Sequence, residues 1–193
     1  MSAENLTKDQ LLDLVVKGLE KAMESLGFML KRKLLVLDAS VQKSMPELDF
    51  GIDANEQLYL LTTEVIGDMK GKSYLFFTEE SSAMAFTLLT GMAEPGAMGK
   101  DVILQEIDNI ASAAVISVFA DALKLRIYGD VPYCFVKKTE EVKEILENDH
   151  HRFGENSVVY WIKSVLSSEE EDLSMPFYWV LPEETVDMLI NKQ

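Results

Sequence analysis

The sequence predicts an α+β fold in which two copies of one unit (long helix, strand, hairpin, short helix) share a mainly antiparallel sheet with packed helices. Three observations carry this. Apolar residues switch between helical and strand spacing in the same order in both halves of the 193-residue chain. The stretches Ser73-YLFFTEESSAM and Phe177-YWVLPEETVDM align, each placing an acidic pair before Ser or Thr where a strand passes into a helix. A unit of this kind cannot cover its own sheet face, so the two copies are expected to close one core. The chain is thus read as a single domain over 1–193, with internal repeats of roughly 7–92 and 101–193.

In the first repeat, Thr7 and Gln10 stand at the spacing of a capping box, and Leu11, Leu12, Val15, Leu19, Ala22, Met23 and Leu26 follow at helical intervals. Gly27 is the expected stop. Lys33-LLVLDASVQ reads as a strand, and Gln57-LYLLTTEVIG with Lys72-SYLFF reads as an antiparallel pair around Gly71. Ser81-SAMAFTLLTGM returns to helical spacing and ends at Gly91. In the second repeat a long helix from about Val102 to Lys124 precedes one strand near Leu125-RIYGDVPYCFV. Val158-VYWIKSVL and Met175-PFYWVL then form a hairpin, with Ser167-SEEED as its solvated turn, and a short helix begins at Glu183.

Composition excludes several function classes. A formal net charge of −15 opposes binding to a phosphate backbone or an anionic membrane surface, so nucleic acid is not expected as a partner. No basic leader precedes an apolar run, and no run approaches the roughly 20 apolar residues of a membrane span. Cytoplasmic is the default location, without membrane insertion. The single Cys134 lies among Val131, Tyr133, Phe135 and Val136 and reads as a small buried strand residue, not a nucleophile. Gly96-AMGKD lacks the spacing of a phosphate-binding loop and follows a helix, so it reads as an inter-repeat connection. His150 and His151 are adjacent, form no metal pattern with Asp149 and Glu155, and read as a solvated loop.

The long second helix carries the chemistry. Ile103, Leu104, Ile107, Ile110, Ala111, Ala114 and Val118 mark its packed side, which leaves Val102, Glu106, Asn109 and Ala113 as a separate stripe. Glu106 and Asn109, three residues apart, point the same way. An amide that orients water, beside a carboxylate that holds a cationic group, suits phosphoryl chemistry without a covalent intermediate. Asn within a helix costs roughly half a kcal/mol against Ala, and the neighbours Ala111, Ser112, Ala113 and Ala114 are small enough for a partner to come close.

With Pro132 after a further 22 residues, this arrangement resembles the chemotaxis phosphatases of the CheC and CheX family, whose signature is Asp/Ser-x3-Glu-x2-Asn-x22-Pro. The resemblance spans nearly the whole chain. It is closest to CheX, because the first long helix has no Glu followed three positions later by Asn: Glu20 is followed by Met23, and Glu24 by Gly27. It implies one catalytic site, Glu106 and Asn109, acting on the aspartyl phosphate of a CheY-type response-regulator receiver. Asn109 would orient the attacking water and Glu106 would pair with the receiver's lysine. No cofactor would be bound by this chain, since the Mg²⁺ belongs to the receiver's active site. A homodimer is also expected, with an apolar strand such as Met175-PFYWVL pairing at a sheet edge. The alternative is a weak or inactive receiver-binding adaptor, or a flagellar-switch component of the same fold. Val102 gives that alternative its weight: the signature has Asp or Ser there, and Val can only pack. Restoring an acid, Val102→Asp, is expected on the signature to preserve or raise activity.

Overall fold

The computed structural model describes residues 7–47, 50, 52–93, 99–153, 158–170 and 172–191. Thr7 caps α1 (Lys8–Leu30) as its residue type requires. The Gln10 N–H donates to the Thr7 hydroxyl at 3.2 Å and the Thr7 N–H donates to the Gln10 side chain at 2.6 Å. Gly27 does not end the helix, which continues to Leu30 and closes on Lys31 in the left-handed region at φ 53°. A Cβ on residue 27 would stand 2.8 Å from the Arg32 carbonyl oxygen, so this glycine serves the close return of the chain.

The remaining elements follow in order as β1 (Leu34–Gln42), β2 (Gln57–Gly67), β3 (Gly71–Thr78), α2 (Glu79–Thr90), α3 (Lys100–Leu123), β4 (Ile127–Gly129), β5 (Tyr133–Lys138), α4 (Thr139–Arg152), β6 (Val159–Ser168), β7 (Ser174–Pro182) and α5 (Glu183–Asn191). The fold is α+β, with one antiparallel sheet in the order β1-β6-β7-β3-β2, and with β4 and β5 both on the outer side of β2. The sequence alignment that sets Ser73 against Phe177 sets Tyr74 against Tyr178, and these two tyrosines stand directly opposite each other where β3 pairs β7. Around that point the outer strands are exchanged between halves: β1 borders β6, and β5 borders β2. Neither half could therefore keep its own edge strand if separated.

Side chains alternate across the sheet. On one face Leu61, Val65, Leu75, Phe77, Ile162, Phe177 and Trp179 meet Val15, Leu19 and Leu26 of α1, Leu104, Ile107, Val115 and Phe119 of α3, Phe86's neighbour Ala85 of α2, and Val186 of α5. On the other face Leu58, Leu60, Tyr74, Phe76, Trp161 and Val180 meet Val142 and Leu146 of α4. The central strands are buried on both faces, which is why they read as near-continuous apolar runs.

Further expectations are corrected. The segment holding His150 and His151 is not a loop but the last turn of α4, where the His150 ring lies 6.3 Å from that of Trp161. Lys72 Nζ donates to Asp149 of the same helix at 2.6 Å, and the Tyr74 hydroxyl donates to it at 3.2 Å. The single strand expected after α3 is two, β4 and β5, interrupted at residues 130–132. β7, proposed as an edge for dimer pairing, lies in the middle of the sheet between β6 and β3, so a homodimer cannot use it in that way. Finally, α3 is long and apolar enough to cross a membrane by length and composition, contrary to the reading of the sequence; in this fold one side of it, with Leu104, Ile107, Val115 and Phe119, is packed in the core with α1 and the sheet. The acidic hairpin turn between β6 and β7 is also partly paired, with Lys33 to Glu169 at 2.8 Å and Arg32 to Asp172 at 3.6 Å.

Candidate functional site

The break between β4 and β5 builds the site. β2 pairs with Gly129 at Val65 and with Tyr133 at Thr62, so the three residues 130–132 stand opposite only Thr63 and Glu64. The surplus residue is a bulge on an edge strand, and Pro132, which has no N–H to give the ladder, fits there. The bulge is held firmly. The Asp130 N–H donates to the Glu64 carbonyl at 2.9 Å, the Val131 N–H to Asp130 Oδ1 at 2.7 Å, and Gln105 Nε2 of α3 to the Pro132 carbonyl at 3.1 Å. Gly129 stands just before it, where a Cβ would meet the side-chain ends of Ile116 at 2.9 Å and Thr63 at 3.0 Å and make them shift.

Beside this corner α3 presents the stripe expected from its periodicity. Val102, Glu106, Asn109 and Ala113 are all exposed, while Leu104, Ile107, Ala111 and Val115 are buried. Glu106, Asn109, Val102 and Gln105 share a shallow depression of about 350 Å³ with Gly129, Asp130, Val131 and Pro132. Pro132, distant in sequence, is thus brought against Glu106 and Asn109. Among the described residues neither the Glu106 carboxylate nor the Asn109 carboxamide has a hydrogen-bond or ion-pair partner. Both are left free to bind something else, and no lysine or arginine lines the depression.

One functional-looking residue escaped the sequence reading. Asp108 is fully buried beneath the exposed stripe, with Oδ2 accepting from Thr63 Oγ1 at 2.6 Å and Oδ1 without a partner among the described residues. Burial pushes its pKa up to about 7, with the Thr63 hydroxyl opposing that rise. Its signal was present: position 108 lies four residues after Leu104 and three before Ala111, on the packed side of the helix. Cys134 of β5 is half-buried, and its thiol is raised to about 12 by burial and by Asp101 and Asp108, which leaves it protonated and unreactive.

Other candidates are engaged elsewhere. Lys100 forms an ion pair with Glu79 and lies 5.1 Å from the Tyr59 ring centre, while residues 96–98 of the stretch that superficially resembles a phosphate loop lie outside the described residues. Among the described residues no group of three or more His, Cys, Asp or Glu side chains is placed to hold a metal.

No family model matches this chain, and no curated protein matches it in sequence. Solved structures do. It is similar to FliY of Thermotoga maritima at 15% identity and a TM-score of 0.67, over 98% of this chain and 96% of that one. It is similar to the chemotaxis protein CheX of Desulfovibrio desulfuricans at 10% identity and a TM-score of 0.59, over 88% of this chain and 99% of that one. It also matches the FliM middle domain of Vibrio alginolyticus at 14% identity and a TM-score of 0.57, over 92% and 96%. The chain therefore has the CheC/CheX-like fold, one that FliY and the FliM middle domain share.

Proposed function

We propose that this protein is a phosphatase of the chemotaxis type, accelerating hydrolysis of the aspartyl phosphate on a CheY-type receiver. The observation that carries the reading is the pairing of an unpartnered carboxylate, Glu106, with an unpartnered carboxamide, Asn109, beside a fixed corner at Pro132. The Asn109 amide would enter the receiver's site and place a water in line with the phosphorus. Glu106 would hold the receiver's lysine and set the register between the two proteins. The receiver supplies the phosphoryl group and the Mg²⁺, so this chain contributes positioning and electrostatics. A cytoplasmic location, and a homodimer using some surface other than β7, belong to the same proposal.

The test is phosphate loss from a panel of phosphorylated receivers with and without the protein. Faster loss from at least one receiver is expected; no acceleration for any receiver overturns the reading. A second reading is favoured by Val102 and by the shared fold of the FliM middle domain: an adaptor or flagellar-switch component that binds a receiver without dephosphorylating it. Binding without acceleration would establish it.

A further inference from the structure

Two exposed valines flank the free acid and amide. Val102, one turn before Glu106, is 46% exposed, and Val131, at the crest of the bulge, is 82% exposed. Both line the depression that contains Glu106, Asn109 and Pro132. Val131 is not on a loose loop. Hydrogen bonds from Asp130, from Val131 itself and from Gln105 fix the backbone on either side of it. A turn with a fixed backbone thus holds an apolar side chain out in water, in the same depression as a second apolar side chain on the helix. The charges of the same lining are Glu106 and Asp130, both acidic, with no basic residue among them.

We propose that Val102 and Val131 are an apolar rim that docks a protein partner whose contact surface carries a cationic side chain set between apolar ones. The cation meets Glu106, and the apolar neighbours meet the two valines. This rests on the phosphatase reading and deepens it, because it names what a receiver must present in order to be accepted. Charge complementarity supports the choice of partner: the depression is acidic and the whole chain carries −15, so a basic patch is drawn to it. The valines do what the charge cannot. Once covered, they keep water away from the ion pair at the centre, the arrangement in which a few central contacts carry most of the affinity. The inference also gives position 102 a task of its own. An acid there would face the partner's apolar surface, so Val102→Asp is expected to weaken docking, the opposite of what the signature alone implies.

The experiment is steady-state dephosphorylation of a CheY-type receiver phosphorylated with acetyl phosphate, run over a range of receiver concentrations. Wild type is compared with Val131→Asp, Val131→Leu and Val102→Asp. The two Asp variants are expected to raise KM about tenfold or more, the loss of one buried apolar contact, with the smaller part of the change in kcat. Val131→Leu keeps an apolar side chain at the rim and should raise KM less than Val131→Asp does. Because Val131 is exposed, none of its variants disturbs the core. An unchanged KM in both Asp variants, with wild type active, overturns the rim and leaves the phosphatase reading standing. A wild type that accelerates no receiver overturns that reading, and the rim falls with it.

Discussion

The Gln105 carboxamide donates to the Pro132 carbonyl oxygen at 3.1 Å, tying α3 to the bulge at the residue next to Glu106. This bond joins two segments that the ladder of the sheet does not join, and it fixes how wide the depression opens. Gln105→Ala is expected to cost about 1 kcal/mol of stability, the ordinary net value of one such bond. Its larger effect should be local. Amide exchange at Val131 and Tyr133 is expected to quicken while the exchange of β3 and β7 stays slow; equal protection at the bulge in both proteins would show that the corner holds without Gln105.

Asn109→Ala and Glu106→Ala should fail in different ways. Removing a group that orients water lowers the rate of the chemical step by about 10²-fold at saturating receiver, with the fold intact because the side chain is exposed. Removing a group that holds the receiver's lysine raises KM as well as lowering kcat. Steady-state kinetics separates the two, and wild-type turnover in Asn109→Ala, or wild-type affinity in Glu106→Ala, would remove the corresponding role.

Much of this arrangement was legible in the residues, for identifiable reasons. The capping box of α1, the Gly91 stop of α2 and the periodicity of α1, α2 and α3 are local properties, and the central strands announce themselves because both faces are buried. What the sequence hid is set by tertiary contacts. α4 has a narrow apolar stripe, chiefly Val142, Ile145 and Leu146, in a strongly charged segment, although acids in its first turn and His150, His151 and Arg152 in its last are a helix signature. The bulge at 130–132 depends on the register of β2 against two separate strands, which no local pattern encodes. β7 reads as an edge only until the order of strands is known. Of the candidate site, the helix stripe was readable from its period, and so was the packed-side position of Asp108, which was passed over; the bulge facing the stripe and the Gln105 tie were not.

Gly18 lies at the closest approach of α1 to α3. A Cβ at this position would stand 2.5 Å from the Cα of Val115, which is backbone and cannot rotate away. Gly18→Ala improves helix propensity by about 1 kcal/mol, but it forces the two helices apart over a closely packed core. A net loss of stability, about 1–3 kcal/mol or more, is expected from the overpacking. Thermal unfolding checks this, and an unchanged midpoint would mean that the helix pair has slack that the packing of Gly18 against Val115 does not suggest.

Asp108, buried on the packed side of α3, links the helix that carries Glu106 and Asn109 to pH. Its carboxyl is raised from an ordinary 3.8 to about 7, chiefly because burial penalises the charged form. Between roughly pH 4 and pH 7 the folded protein keeps a proton that the unfolded chain releases, so stability falls as pH rises through this window. The contribution is fully present below the unfolded pKa and is lost once pH passes the folded value near 7. Asp108→Asn stays neutral throughout and still offers Thr63 an oxygen to donate to. Thermal midpoints of wild type and Asp108→Asn at pH 5 and pH 8 give the test, because the other titrating groups are common to both proteins and cancel in the difference. The midpoint of the variant relative to wild type should rise between pH 5 and pH 8. A difference that does not change with pH would mean that Asp108 is ionised or protonated alike in the folded and unfolded states, and that its burial on the packed side of α3 carries no proton linkage.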